Sequence, residues 1–515
     1  MIASRNRDVP TFFERVTGEG RAALGTPRSM RKVQRRQLQA SYDAAQTTEL
    51  NQKYWKNADL LDADSANDPG VRATLRSRSR YECLESNGFL RGMVQTLVND
   101  TIGRGPRLQM KHKNLEFNAF VETKWRLWAK QIKLGRKLRT ARTAKAVDGE
   151  CFLQFHTNRK IRGPVQLDIA NIEADQITNP LLANQENAID GIEFDEWGNP
   201  TTYHRLKKHP GSAWGYDPTP EKISADEIIH LFRQDRPGQH RGIPEFTPSL
   251  PLGALLRDYT LATLAAARTS AKHTAVMETA AESVEGESFD ETVEGFDTVD
   301  IDYDTLTALP HGWKMNAFKP EQPTTTYQMF RNAILAEMGR PANMPYNVAA
   351  LDSAGHNYAS GRLDYQAYDL GIRVERSEWD EECMDRIFEH FMDELWLSGL
   401  LDQFGVEPED EIPHGWFWDA RKHVDPSKES GAQGDKLENL TTTLADEYAE
   451  DGADYDEKLV QRAKELKRIK DLETEYGIKF PSRGGAPAPF AEDDEDVDAP
   501  PQRRSGKKRE FARAA

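Results

Sequence analysis

Cysteine is scarce in this chain. Cys83, Cys151 and Cys383 are the three among 515 residues. They lie far apart and form no C-x-x-C pair, the usage of a protein kept in a reducing cytoplasm. Long apolar runs are also missing. The nearest approach, Leu261 to Ala267, is far short of the roughly 20 residues that span a bilayer. The first residues are polar and arginine-rich, unlike a secretory signal. Positive charge is not in excess either: 68 basic against 84 acidic side chains leave −16. That argues against a simple DNA-wrapping surface.

Catalytic signatures are absent in the same way. Gly20 to Gly25 has the spacing of a phosphate-binding loop, but Thr26 stands where the lysine is needed. There is no G-x-S-x-G elbow, no H-E-x-x-H, and no zinc spacing among the twelve histidines and three cysteines. Any ATP-driven work must therefore come from a partner. Scattered acids could assemble a two-metal nuclease site, and the sequence neither supports nor excludes one.

What is present suits a polar, soluble chain of two to four domains, with 38% hydrophobic and 30% charged residues. Residues 1–40 are basic, with Arg28, Arg31, Lys32, Arg35 and Arg36 clustered. They read as a solvated tail or a flexible arm touching nucleic acid or an acidic partner. Asn51 to Arg107 reads as mostly helical, broken at Asp68-Pro69-Gly70 and at Asn87-Gly88, and followed by a short strand, Arg107 to Met110. Leu115 to Ala146 is helical, with Trp125 and Trp128 among many cations. Its basic face is either solvated or a contact for phosphate or for a surrounding protein shell. Val147 to Glu150 reads as a turn. Strands are expected at Cys151 to His156, around Val165, Leu167 and Ile169, and at Ile228 to Phe232. Ile189 to Phe194 and Thr202 to His204 form a hairpin over Trp197-Gly198-Asn199-Pro200. His230 reads as a strand histidine with a hydrogen-bond partner.

The second half opens with a helix rich in small residues after Gly253, free of Gly and Pro until Gly286. Arg257, Arg268 and Lys272 share one of its faces. Eleven acids and no base then run from Glu278 to Asp304. The run is a solvated loop or a partner surface. A metal site is a third reading, weakened because no His or Cys shares the run and Asp300-x-Asp302-x-Asp304 lacks the glycine and final Glu of an EF-hand loop. Thr324-Thr325-Thr326 caps a helix with Tyr327, Phe330, Ile334 and Met338 on one side, stopped by Gly339-Arg340-Pro341. A loop from Tyr346 to Gly361 leads to a helix running to Trp396, about 55 Å long at 1.5 Å per residue. Trp416 to Trp418 is an aromatic strand, and Leu437 to Leu472 is helical. The chain from Pro481 reads as disordered.

Four stretches carry a resemblance: Ile334 to Pro341, Asn357-Tyr358-Ala359-Ser360-Gly361-Arg362, Val424-Asp425-Pro426-Ser427-Lys428-Glu429, and, most specifically, Asp235-Arg236-Pro237-Gly238-Gln239-His240-Arg241-Gly242-Ile243-Pro244. Together, in order over about residues 40–480, they resemble the lambda-family phage portal proteins. Ala359 and Gly361 depart from that family's Asn-Tyr-Ser-Ser-x-Arg-like pattern. The resemblance implies an α+β, mainly helical portal fold assembled as a ring. Its parts would be a basic N-terminal arm (1–40), a mixed wing (41–242), a first stem helix (243–277) and an acidic clip (278–318). A second stem helix (319–345), a tunnel loop (346–361), a long wing/crown helix (362–402), a crown (403–480) and a disordered tail (481–515) would follow.

It also implies a non-enzymatic role, with no cofactor, no metal and no membrane. Twelve subunits would form a channel at one capsid vertex of the virion, assembled in the host cytoplasm. Partners would be double-stranded DNA in transient, non-specific contact, the large terminase subunit, the major capsid protein and a head-completion or tail-connector protein. The tunnel loop would present Asn347, Ser353, His356, Asn357, Tyr358, Ser360 and Arg362 to DNA. The stem face of Arg257, Arg268 and Lys272 would meet the channel, a neighbouring subunit or the shell. Asp290, Glu291, Glu294, Asp297, Asp300 and Asp302 would dock partners at the clip. The rival readings are a metal-dependent nucleic-acid enzyme and a capsid-shell or scaffold protein.

Overall fold

The structure is a computed structural model. It describes residues 49, 51–179, 188–213, 215, 217–272, 275–279, 313–317, 325–355, 358–407, 412–419, 426–450 and 455–480. The basic arm 1–40, the six clip acids, His356, Asn357 and the tail 481–515 fall outside them. The chain divides into two units, 1–418 and 419–515.

In the first unit, a single helical turn, Ala63–Ala66, ends just before Asp68-Pro69-Gly70, which breaks it from the next helix and starts that helix. The Asp68 carboxylate accepts from the amides of Gly70 and Val71 at 2.7 and 2.9 Å, and Pro69 takes the first helical position of α1, Pro69–Arg80. A π-helical stretch, Tyr81–Ser86, follows. Asn87 then caps α2, Gly88–Thr101, accepting from Phe89 and Leu90. Strand β1, Arg107–Met110, leads to α3, Leu115–Ile132, and α4, Leu134–Asp148. Lys133, left-handed at φ 57°, makes the corner between these helices. The expected turn at Val147 to Glu150 contracts to Gly149 alone, at φ 91°, because α4 runs through Asp148.

Strand β2, Glu150–Thr157, is the centre of a three-stranded antiparallel sheet, between β3, Leu167–Ile172, and β8, Ile228–Phe232. Both its faces are covered. Cys151, Leu153 and Phe155 enter a core with Trp125, Trp128, Phe388 and Phe391. Phe152 enters another with Ile172, Ile192 and Tyr203. A four-stranded meander comprises β4, Ala188–Ile189, β5, Ile192–Phe194, β6, Pro200–Arg205, and β7, Glu221–Ser224. The expected single strand Ile189 to Phe194 is thus two. Asp190-Gly191, with φ of 42° and 87°, folds it back on itself. Both values are positive, as the tight two-residue hairpin turn requires.

Helix α5, Leu250–Lys272, stops before the expected boundary at 277, and β9, Ala275–Thr279, pairs antiparallel with β10, Trp313–Ala317. Helix α6, Thr325–Gly339, is followed by α7, Tyr346–Ala349, and α8, Tyr358–Trp379. A π-helical stretch, Asp380–Met384, joins α8 directly to α9, Asp385–Leu397. The long helix is therefore continuous but wider over one turn, which an apolar repeat does not reveal. Strand β11, His414–Phe417, pairs with β1 across some 300 residues of sequence. The second unit contains α10, Pro426–Glu438, α11, Leu444–Glu450, and α12, Tyr455–Tyr476. No helix among the described residues is long and apolar enough to cross a membrane.

Candidate functional site

Helices α5 and α6, the two expected stem helices, meet through aromatic rings. Tyr259 of α5 stacks on Tyr327 of α6 with centroids 5.6 Å apart and meets Phe330 edge-on at 5.3 Å. Their near ends are fixed in a core of Leu250, Leu256, Leu335 and Met338 with Leu90, Met93 and Leu97 of α2 and Tyr368 and Ile372 of α8. Gly253 packs against Leu90, and its carbonyl accepts from the Asn87 side chain at 3.1 Å. Ser249 donates to the Met338 carbonyl at 2.8 Å. The cap of α2 therefore also anchors α5.

The stem cations do not behave alike. Arg257 donates to Glu82 at 2.7 Å and lies 5.5 Å from the Tyr81 ring, which ties it to the π-helical stretch of its own chain. The Glu82 contact raises its pKa further. Arg268 is exposed, and Lys272 ends α5. A common helical face therefore overstates their equivalence: Arg257 is held by Glu82, whereas Arg268 is exposed.

The segment expected to be a loop from Tyr346 to Gly361 is shorter. Its first residues form α7, whose Val348 and Ala349 are buried in the core, and α8 begins at Tyr358. Asn347 lies on α7, half-buried. Tyr358, Ser360 and Arg362 lie in the first turns of α8. Between the helices, Leu351 is left-handed at φ 51° and exposed, Asp352 accepts from Tyr346 at 3.0 Å, and Ser353 is exposed. Apolar Val348 and Ala349 gain more from the core than from solvent, which is why the loop contracts.

Beside this joint lies a buried charge network. Arg72, Arg76 and Arg80 recur every fourth residue on α1 and so share a face. Arg72 pairs with Asp190, Arg76 with Asp175 at 2.8 Å, and Arg80 with Asp148 and Asp175, each at 2.7 Å. Arg241 is fully buried. It grips Glu150 with two bonds of 2.8 and 2.6 Å and reaches Asp190 at 3.0 Å. Glu150 also accepts from Gly242 N at 3.1 Å and contacts His230 at 3.2 Å. Burial pushes the Glu150 carboxyl up, but Arg241 and His230 outweigh it and hold it well below the usual range. Burial likewise keeps the His230 ring below its ordinary value, against the pull of Glu150.

This network explains the Asp235 to Pro244 motif. The Gln239 side chain accepts from Asp235 N at 3.0 Å and donates to Arg241 O at 2.9 Å, closing the loop on itself. His240 is held by Asp64 at 2.7 Å. A Cβ on Gly242 would collide with the Gly149 carbonyl. A second group joins Arg142 of α4 to Glu245 at 3.0 Å, just before α5, and to Glu375 of α8 at 2.7 Å. Asp190, Glu150 and Glu375 went unmarked in the sequence; only the Asp-Gly turn hinted at the first.

Among the described residues, Glu173, Asp175 and His209 have ligand atoms within 4.8 Å of one another. Asp175 is already taken by Arg76 and Arg80.

The family model for the phage portal protein, lambda family, matches residues 51–376. This chain belongs to the lambda family of phage portal proteins. The matched span contains α5, α6, the Arg241 network and most of α8. A similar protein is the probable portal protein of Halomonas phage phiHAP-1, 26% identical over 500 residues, 90% of this chain and 93% of that one. Two solved structures are also similar. A chain from the neck of an empty GTA particle is 11% identical, with 73% of this chain and 93% of that one covered and a TM-score of 0.44. A chain from the neck of a native GTA particle is 11% identical, with 75% and 94% covered and a TM-score of 0.41. The portal assignment makes this a protein of the phage virion.

In this portal-family chain the π-helical stretch carries a titratable clasp. Trp418 donates to both Asp380 oxygens, at 3.0 and 3.2 Å, and Trp416 donates to Asp385 at 2.7 Å. Burial, helped by nearby Asp385 and Glu381, pushes the Asp380 carboxyl up to about 7, against Trp418 and Arg376. A raised carboxyl binds a proton in the folded state that the unfolded chain has released. Stability from this group is therefore lost as pH rises from its ordinary value of 3.8 towards about 7. Since Asp380 is partly exposed, the expected loss is about 1–2 kcal/mol after screening. Asp380→Asn should remove that part of the pH slope. Urea unfolding of both proteins at several pH values checks this; parallel curves would refute it.

Proposed function

We propose that copies of this chain close into a twelve-subunit ring at one capsid vertex, the channel through which DNA is packaged and later leaves. The observation that carries this reading is the stem. Leu255 on one side of α5 and Leu261 and Leu264 on roughly the opposite side are 64%, 59% and 56% exposed. A monomer gains nothing from two such faces, whereas a head-to-tail ring covers both. The six clip acids dock the large terminase subunit and then a head-completion protein, with the major capsid protein surrounding the ring. The role is passage and docking, without a catalytic step.

The segment between α7 and α8 is proposed to touch passing DNA transiently. Ser353 is small and exposed there, as a contact that must not clamp requires. Negative-stain microscopy of the purified protein tests the ring: closed rings are expected, and a strictly monomeric particle at moderate salt opposes them. Deleting Ser353 to His356 should spare the rings but impair packaging or retention of DNA. Normal packaging and retention would remove that role from the segment.

A further inference from the structure

A surface cavity of about 370 Å³ opens where the turn after α2 meets the corner between α3 and α4. Arg104, Lys130, Lys133, Arg136 and Arg139 line it, and no carboxylate does. Such a concentration stands against a chain whose net charge is −16. Rigid backbone holds it in place. Gly103 and Gly105, at φ 55° and 100°, bring the Arg104 carbonyl onto Gly135, where a Cβ would collide. Arg139 donates to the Gly103 carbonyl at 2.7 Å and so braces the turn against α4. Lys130, Lys133 and Arg136 remain exposed.

We propose that this cavity binds backbone phosphates of double-stranded nucleic acid, at a place separate from the stem and from the α7–α8 segment. Like charges held together by fixed elements repel one another, and a polyanion relieves that repulsion. Arg136 is exposed at the cavity, and the planar fork of an arginine takes two oxygens of one phosphate. A duplex presents a negative charge about every 1.7 Å of its axis, so several cations can be neutralised together. Contacts of this kind carry no sequence information, so binding is non-specific. The proposal rests on the portal reading only for the presence of DNA around the protein.

The test uses the full chain and a short labelled duplex of arbitrary sequence, followed by fluorescence anisotropy across a salt series. Lys130→Gln combined with Arg136→Gln should weaken binding roughly tenfold at low salt and reduce the slope of log K against log salt by about 2. Lys464→Gln combined with Arg468→Gln, two exposed cations of α12, should change neither. An unchanged slope in the cavity variant means solvated cations only and overturns the proposal. So does an equal loss in the α12 variant. A labelled polyglutamate that loses affinity in the cavity variant while the duplex does not would assign the cavity to an acidic protein instead. Negative-stain images of the same variant separate this from ring formation. Intact rings with a flattened slope confirm the cavity, and absent rings in the parent protein reject the ring while the slope still judges the cavity.

Discussion

Arg241→Met is expected to destabilise the first unit by about 3–5 kcal/mol, the usual cost of leaving one partner of a buried ion pair alone. Glu150 is completely buried, and two of its bonds come from Arg241. Without that guanidinium the carboxylate keeps Gly242 N, the His230 ring and, at 3.5 Å, Arg76, which Asp175 also holds. The pH dependence should also change sign. In the parent protein the lowered Glu150 pKa contributes stability that is present above its ordinary value of 4.5 and lost as pH falls below it. In the variant, burial acts with far less opposition and raises the pKa, so stability is lost as pH rises instead. Urea unfolding at pH 5 and pH 8 reads both effects. Where the variant does not accumulate, Arg241→Met with Glu150→Gln supplies the check. Removing both charges should recover part of the loss, since no lone buried charge remains. A double variant no better than the single one would mean that the cost comes from lost packing.

The distinction between legible and illegible parts follows from the range of the interactions. Strand β2 was readable because apolar residues on both faces make a short continuous run, and the flanking glycine and turn residues bound it. The breaks at Asp68 and Asn87 are legible in the sequence, and both residues also cap the helix that follows. The residues that stop one helix are also the ones that start the next. Asp190-Gly191 was absorbed into a strand although its own chemistry calls for a turn. The π-helical stretches at Tyr81–Ser86 and Asp380–Met384 were not visible, since one extra residue per turn leaves composition and apolar spacing almost unchanged. Nor could spacing reveal that Arg72 meets a partner 118 residues away, or that Arg241 meets one 91 residues away. The Asp235 to Pro244 motif was recognisable by resemblance. Its reason, a self-closed loop that delivers one guanidinium to Glu150, needed the fold. The α7–α8 segment was placed correctly between two helices but made too long, because two apolar residues in a small-residue stretch suffice to draw a turn of helix into the core.

The largest effect on assembly is expected from Leu261→Glu combined with Leu264→Glu. Each leucine should contribute about 1.5–3 kcal/mol if a neighbouring copy covers it. Losing both therefore weakens each contact by roughly two to four orders of magnitude, enough to leave monomers at micromolar protein. Both positions are exposed, and glutamate is a good helix former, so helicity and the unfolding midpoint should stay near those of the parent. Analytical ultracentrifugation beside circular dichroism makes the comparison. Leu255→Glu combined with Ala262→Glu should act in the same way from the other side of α5, where both residues are also exposed. Mixing the two variants then tests direction. In a head-to-tail contact each variant keeps one sound face, and the two sound faces are complementary. The mixture should form dimers that stop there, because every remaining face is blocked. Full rings from the mixture, or rings from either variant alone, would show that these faces do not join neighbouring subunits.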